Sequence, residues 1–341
     1  MSEKQSLFVE VNGLKFHVQR IGQGTPLVMI MGLGAPGEKW RHNYELLSKY
    51  FECIVIDNRG AGESDKPEVP AYTTDEMSDD VIGIMEALNI EKAHVIGVSM
   101  GGAIAQLVAL KRPEKVISLV LTSTFASVSP SFHKALSVLC ALKDDVDPAL
   151  LKELNLWMTN GQYTQIHHPE KIAKSIEEDA AYPYPMPVYA YKAQAEACKT
   201  HHTADRLHEL KMPVLIASGA KDLFMNIEKT MEMVHGIPHA EFYLSPEGKK
   251  MAEFLSKLKT DGVFKNYKGK PLGEILDVDG NPVKGKHLSD FVFFTHDEQF
   301  AIDYYKSEAK KEALRRLYKE TALNKDSGLY PNGYSDRRPY Q

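Results

Sequence analysis

Gly97-Val98-Ser99-Met100-Gly101 sets a serine at G-x-S-x-G spacing. Such a serine can attack a carbonyl carbon if a base takes its proton and fixed donors meet the oxyanion that forms. The bare string arises by chance in roughly one chain of this length in ten, given about 7% glycine. Its surroundings carry more weight. An apolar run, His94 to Val98, enters it, and a small-residue helical run opening Gly101-Gly102-Ala103 leaves it. A cramped strand-to-helix turn follows, in which the residues two away from the serine must be small. The turn exposes Oγ at a helix N-terminus, where developing negative charge is favoured. The competing reading is a tight turn whose serine merely caps the helix.

A turn of this kind needs a sheet behind it, and the chain supplies one. Phe8 to Gln19 alternates apolar and polar residues on both sides of Asn12-Gly13, the signature of a two-residue hairpin. Short apolar runs follow at Pro26–Met31, Cys53–Ile56, His94–Val98, Val116–Leu121 and Pro213–Ala217. Strands apolar on both faces belong to a parallel sheet covered by helices. Thr74 to Leu88 carries Met77, Val81, Ile84, Met85 and Leu88 at helical spacing. Strand–helix alternation of this kind predicts a doubly wound α/β domain.

The pattern divides the chain. Residues 1–122 and 206–259 form the α/β core. Residues 123–205 lose strand signals and read as a helical lid inserted between two strands, interrupted by Pro183, Pro185 and Pro187. Residues 260–341 form a C-terminal extension, partly helical, ending in a loosely ordered polar tail. A net charge of −5 gives a phosphate backbone nothing to bind, so nucleic acid is not an expected partner. Cys53, Cys140 and Cys198 show neither metal-ligand nor disulfide spacing, which fits the cytoplasm or another reducing compartment. No secretory signal and no apolar run long enough to span a bilayer is visible. No metal site, phosphate loop or cofactor motif is evident, so no cofactor is expected.

Three motifs in order resemble the α/β-hydrolase superfamily from about Leu7 to Phe254. The elbow at Ser99 is one. Met31-Gly32-Leu33-Gly34, with Trp40 shortly after, is similar to the oxyanion loop usually written H-G-x-G, with Met31 in place of the histidine. The loop from Asp57 to Ser64 resembles D-x-R-G-x-G-x-S, a rigid wall beside the site. The resemblance implies the backbone N–H groups of Leu33 and Met100 as oxyanion donors. It also implies Asp222, after the strand and Gly219, as the acid that orients a histidine.

The histidine breaks the pattern. After the last strand, Ala240 to Leu244, the family places Gly-His; here Gly248-Lys249-Lys250 stands in that position. Lysine has an unperturbed pKa of about 10.4, so near neutrality it is an ammonium and no base. Of thirteen histidines, four follow Asp222: His235, His239, His287 and His296. The first two precede the last strand, and His287 lies in a polar loop. His296 alone follows an apolar run, Phe291 to Phe294, and is the candidate base. Two functions follow. One is a serine hydrolase acting through a Ser99 acyl-enzyme on an ester, thioester, amide or lactone of a small apolar substrate. The other is a pseudo-hydrolase, a scaffold or ligand-binding subunit whose C-terminal extension engages a protein partner. The elbow glycines serve the turn in either case.

Overall fold

The computed structural model describes residues 4–245, apart from residues 161, 220, 221 and 223. Gly248, Lys249, Lys250, His287, His296 and the extension at 260–341 lie outside the described residues. An eight-stranded sheet runs in the order β1-β2-β4-β3-β5-β6-β7-β8. Its strands are β1 (Gln5–Val11), β2 (Leu14–Ile21), β3 (Pro26–Ile30), β4 (Glu52–Ile56), β5 (Ala93–Val98), β6 (Val116–Thr122), β7 (Val214–Gly219) and β8 (Glu241–Ser245). β1 and β2 form the hairpin over Asn12-Gly13, both at positive φ, and β2 runs antiparallel to β4. From β4 to β8 every pairing is parallel. The expected α/β-hydrolase sheet is present.

Period-two alternation splits the strand side chains between two cores. Val28, Ile30, Ile54, Ile56, Val95, Leu119, Leu121, Val214 and Ile216 point to one face. There they meet Met77, Val81, Ile84 and Met85 of α2 (Thr74–Ala87), and Ala103, Ile104 and Val108 of α3 (Met100–Lys111). Leu27, Met29, Cys53, Val55, Ile96, Val120, Leu215 and Ala217 point to the other face, against Trp40, Phe51 and Leu47 of α1 (Arg41–Leu47). Apolar residues on both faces are what made these strands legible as parallel.

The chain leaves β3 toward β4 on one side, then crosses over to β5 on the other. The order therefore reverses between β3 and β5, opening a crevice at their carboxyl ends. Between β6 and β7 the chain forms α4 (Pro130–Asp145), α5 (Pro148–Thr159), α6 (Gln162–His167), α7 (Pro169–Ala180) and α8 (Val188–Thr200). One helix, α9 (Ile227–Gly236), precedes β8. Among the described residues no helix is long and apolar enough to cross a membrane.

Candidate functional site

β5 ends at the switch point, and Ser99 follows with φ 54° and ψ −122°, a conformation that L residues rarely adopt. The sequence leaves little alternative. A Cβ on Gly97 would run into the Gly101 carbonyl, and one on Gly101 into the Ile30 carbonyl. The turn is pinned from both sides. Ser99 N–H donates to the Thr122 carbonyl at 3.0 Å, and the Ser99 carbonyl accepts from Gly102 N–H at 2.9 Å and Thr124 Oγ1 at 2.6 Å. Ser99 occupies the N-cap of α3, yet its side chain makes no capping hydrogen bond. The capping alternative therefore has no support, and the half-buried hydroxyl stands at the crevice.

β3 runs beside β5, with Ile30 opposite Gly97, so the Met31–Gly34 loop lies against the elbow. A Cβ on Gly32 would sit 3.1 Å from Ser99 Cβ and 3.2 Å from the Val98 carbonyl oxygen. The loop is braced at two points. Asn58 Nδ2 donates to the Met31 carbonyl at 2.8 Å, and Gly34 N–H donates to Gln194 Oε1 at 2.9 Å. Among the described residues no protein acceptor meets the N–H of Leu33 or of Met100. Two unused backbone donors flanking one hydroxyl are what stabilisation of a tetrahedral oxyanion requires.

The loop after β4 is built around the Asp57 carboxylate, 2% exposed. It accepts from Gly37 N–H at 2.5 Å, Glu63 N–H at 3.0 Å and the His17 ring at 2.7 Å. Ser64 Oγ donates back to the Asp57 carbonyl at 2.7 Å. Arg59 is tied to Asp80 at 2.6 Å, with both side chains largely buried. A carboxylate satisfied by this many donors is structural, and the loop is a stiff wall.

Asp222 lies three residues beyond β7. Its Oδ1 accepts from Phe224 N–H at 3.0 Å and Met225 N–H at 2.8 Å, an Asx turn that fixes the carboxylate. The register row Val98–Thr122–Ala217 puts the ends of β5 and β7 level at the same sheet edge. They are two strand spacings apart, about 10 Å. Asp222 therefore follows β7 at the same carboxyl edge of the sheet as Ser99.

Four of the described histidines have other places. His239 Nε2 bonds the Met212 carbonyl at 2.8 Å, at the amino end of β7, and His235 is exposed late in α9. Burial pushes His201 down to about 3, and it bridges Thr74 Oγ1 and Thr203 Oγ1 as a neutral ring. His17 is held by Ser6 and Asp57. Among the described residues no group of three His, Cys, Asp or Glu side chains is placed to hold a metal ion.

Sequence reasoning missed Gln194 and Tyr191. Gln194 is fully buried in α8 among Ala190, Ala193, Ala195 and Ala197, and its Nε2 donates to the Arg59 carbonyl at 2.7 Å. A lone amide in an alanine-rich helix is the signal that could have found it. Small residues let the helix approach, and a buried amide needs partners.

Residues 25–252 match the model of a family described as alpha/beta hydrolase fold. A Caulobacter vibrioides protein named "Putative carbamate hydrolase RutD" is 26% identical over 235 residues, covering 68% of this chain and 86% of its own. The 2-hydroxy-6-oxononadienedioate/2-hydroxy-6-oxononatrienedioate hydrolase of Paraburkholderia phymatum is 27% identical over 255 residues, covering 68% and 83%. Among solved structures, a thermophilic esterase from Thermogutta terrifontis superposes with a TM-score of 0.62 at 25% identity, covering 72% of this chain and 91% of its own.

Proposed function

The chain belongs to the alpha/beta hydrolase fold family, and from that premise we propose that it is a serine hydrolase of carbonyl compounds with Ser99 as nucleophile. The observation that carries this is Ser99 itself, held at φ 54° beside two N–H groups that meet no acceptor among the described residues. A strained backbone at a switch point, over-determined by its neighbours, marks a site where geometry serves chemistry. The relatives act, by their names, on a carbamate, a carbon skeleton bearing oxo groups and an ester. All three reactions pass through attack on a carbonyl or its equivalent. The substrate class proposed here is an ester, thioester, amide or lactone.

In this reading Ser99 Oγ attacks the carbonyl carbon as its proton passes to a base. Leu33 and Met100 N–H groups meet the oxyanion. Collapse breaks the bond to the leaving group, which takes the proton, and water then cleaves the acyl-enzyme. Asp222 orients the base. His296 is the residue assigned to that role, since His235 and His239 lie away from the crevice. The helices between β6 and β7 supply the lid that selects the substrate.

A fluorophosphonate probe tests the reading in the full chain. Wild type is expected to label, Ser99→Ala not to label, and His296→Ala to label at least a hundredfold more slowly. Labelling indifferent to Ser99, together with no hydrolysis of activated esters, refutes the hydrolase and leaves the scaffold. Undiminished labelling of His296→Ala removes that residue from the site.

A further inference from the structure

Three lysines on α5 and α8 are paired with carboxylates. Lys192 meets Asp144 at 2.6 Å, Lys199 meets Glu196 at 2.6 Å, and Lys152 meets Asp179 at 3.3 Å. Lys143, next to Asp144 in α4, has no carboxylate within ion-pair distance among the described residues. It is no solvated surface lysine either. Its side chain is half-buried, and its Nζ lies 4.0 Å from the centroid of the Tyr191 ring. Burial draws its ammonium below the ordinary lysine range, and no carboxylate is among the groups that oppose the shift.

Tyr191 connects this cation to the reacting centre. The ring packs on the oxyanion loop, where a Cβ on Gly34 would lie 3.1 Å from two of its carbons. Two residues earlier in the same loop, Gly32 abuts Ser99. The order from nucleophile outward is therefore Ser99, the Gly32–Gly34 loop, the Tyr191 face, and the Lys143 ammonium. A partly desolvated cation without a carboxylate, one aromatic ring beyond an oxyanion loop, is a ready site for an anion that arrives with the substrate. The tyrosine face holds the ammonium in place while the anion is absent.

On the hydrolase reading of Ser99, we propose that Lys143 binds a carboxylate carried by the substrate, so that the preferred substrates are carboxylated esters, lactones or amides rather than wholly apolar ones. Lys143 is then a specificity-determining residue. It has no part in bond cleavage, and neutral substrates should not sense its charge.

Two matched pairs of esters test this in the full chain. The carboxylate is on the acyl side in p-nitrophenyl glutarate, set against p-nitrophenyl pentanoate. It is on the leaving group in 4-carboxyphenyl butanoate, set against phenyl butanoate. In at least one pair the charged member should lose tenfold or more in kcat/KM on Lys143→Met, with the neutral member changed less than twofold. Lys143→Arg should recover most of that loss, which a packing defect would not. Equal effects on charged and neutral members in both pairs overturn the proposal. Calorimetric titration of the same four esters into Ser99→Ala and Ser99→Ala/Lys143→Met reads the subsite without turnover. There, at least tenfold weaker binding of a charged ester on loss of Lys143 supports it, and identical affinities for all four overturn it. Failure of wild type to hydrolyse any ester refutes the reading of Ser99, and the titration still decides on Lys143.

Discussion

Replacing Ser99 by glycine should make the protein more stable than replacing it by alanine, although both remove the hydroxyl. Ser99 sits at φ 54° and ψ −122°. A residue with a Cβ held in so sparsely populated a region costs of order 1–3 kcal/mol, which glycine does not incur. Glycine brings an opposing term. It frees the unfolded chain and costs about 0.5–1 kcal/mol relative to alanine. The net expectation is that Ser99→Gly exceeds Ser99→Ala by about 0.5–2 kcal/mol. The hydroxyl does not confuse the comparison, because Ser99 makes no capping bond and both variants lack the group. Urea denaturation curves at neutral pH, fitted with a common slope, measure the difference, as do melting temperatures separated by a few degrees. If Ser99→Gly equals or falls below Ser99→Ala, no strain is stored at the elbow. The inference from backbone geometry to function would then lose its basis.

Two further outcomes follow from buried groups. Gln194→Ala strips partners from the Gly34 N–H and the Arg59 carbonyl. Stability should fall by about 2–4 kcal/mol in urea titrations, and kcat on an activated ester should fall more than KM rises. Gln194→Glu, which keeps the acceptor for Gly34 alone, should lie between. Glu241 has both carboxyl oxygens shielded without a hydrogen-bond partner among the described residues, and burial raises it from 4.5 to about 8. Its folded form favours the proton, so its contribution is full below about pH 4.5 and is lost as pH rises through about 8. Wild type should therefore lose about 1–2 kcal/mol relative to Glu241→Gln between pH 5 and pH 9, after allowing for solvent screening. Parallel urea midpoints for the two proteins over that range would refute this.

The parts of the site legible in the sequence are those in which backbone geometry forces residue type. Gly97 and Gly101 are dictated by carbonyls that a Cβ would strike, so the elbow announces itself. Strands β3 to β7 are apolar on both faces because helices cover both, and their limits were read to within about two residues. The Met31–Gly34 loop was legible only through resemblance, since the role proposed for Leu33 and Met100 uses main chain and leaves their side chains free to vary. Long-range side-chain pairings were not legible at all. Nothing near Gln194 in sequence indicates that its amide spans to Gly34 and Arg59, 160 and 135 residues away. Nor does any local pattern bring Lys143 over Tyr191, because that contact depends on how two helices cross.

The same distinction separates reaction geometry from selectivity. Helix α8 is keyed to the core mainly through main-chain groups. Gln194 binds the Gly34 N–H and the Arg59 carbonyl, Tyr72 N–H donates to the Ala193 carbonyl at 3.0 Å, and Tyr189 OH donates to the Lys66 carbonyl at 3.1 Å. Such bonds survive changes of side chain at the positions that accept them, so α8 can hold the Met31–Gly34 loop while its surroundings vary. From helix α4, Lys143 meets the Tyr191 ring that packs on Gly34. On the proposal made for Lys143, substitution there should change what the crevice prefers and leave Leu33, Met100 and Ser99 where they are. A chain organised in this way can change substrate without rebuilding its elbow.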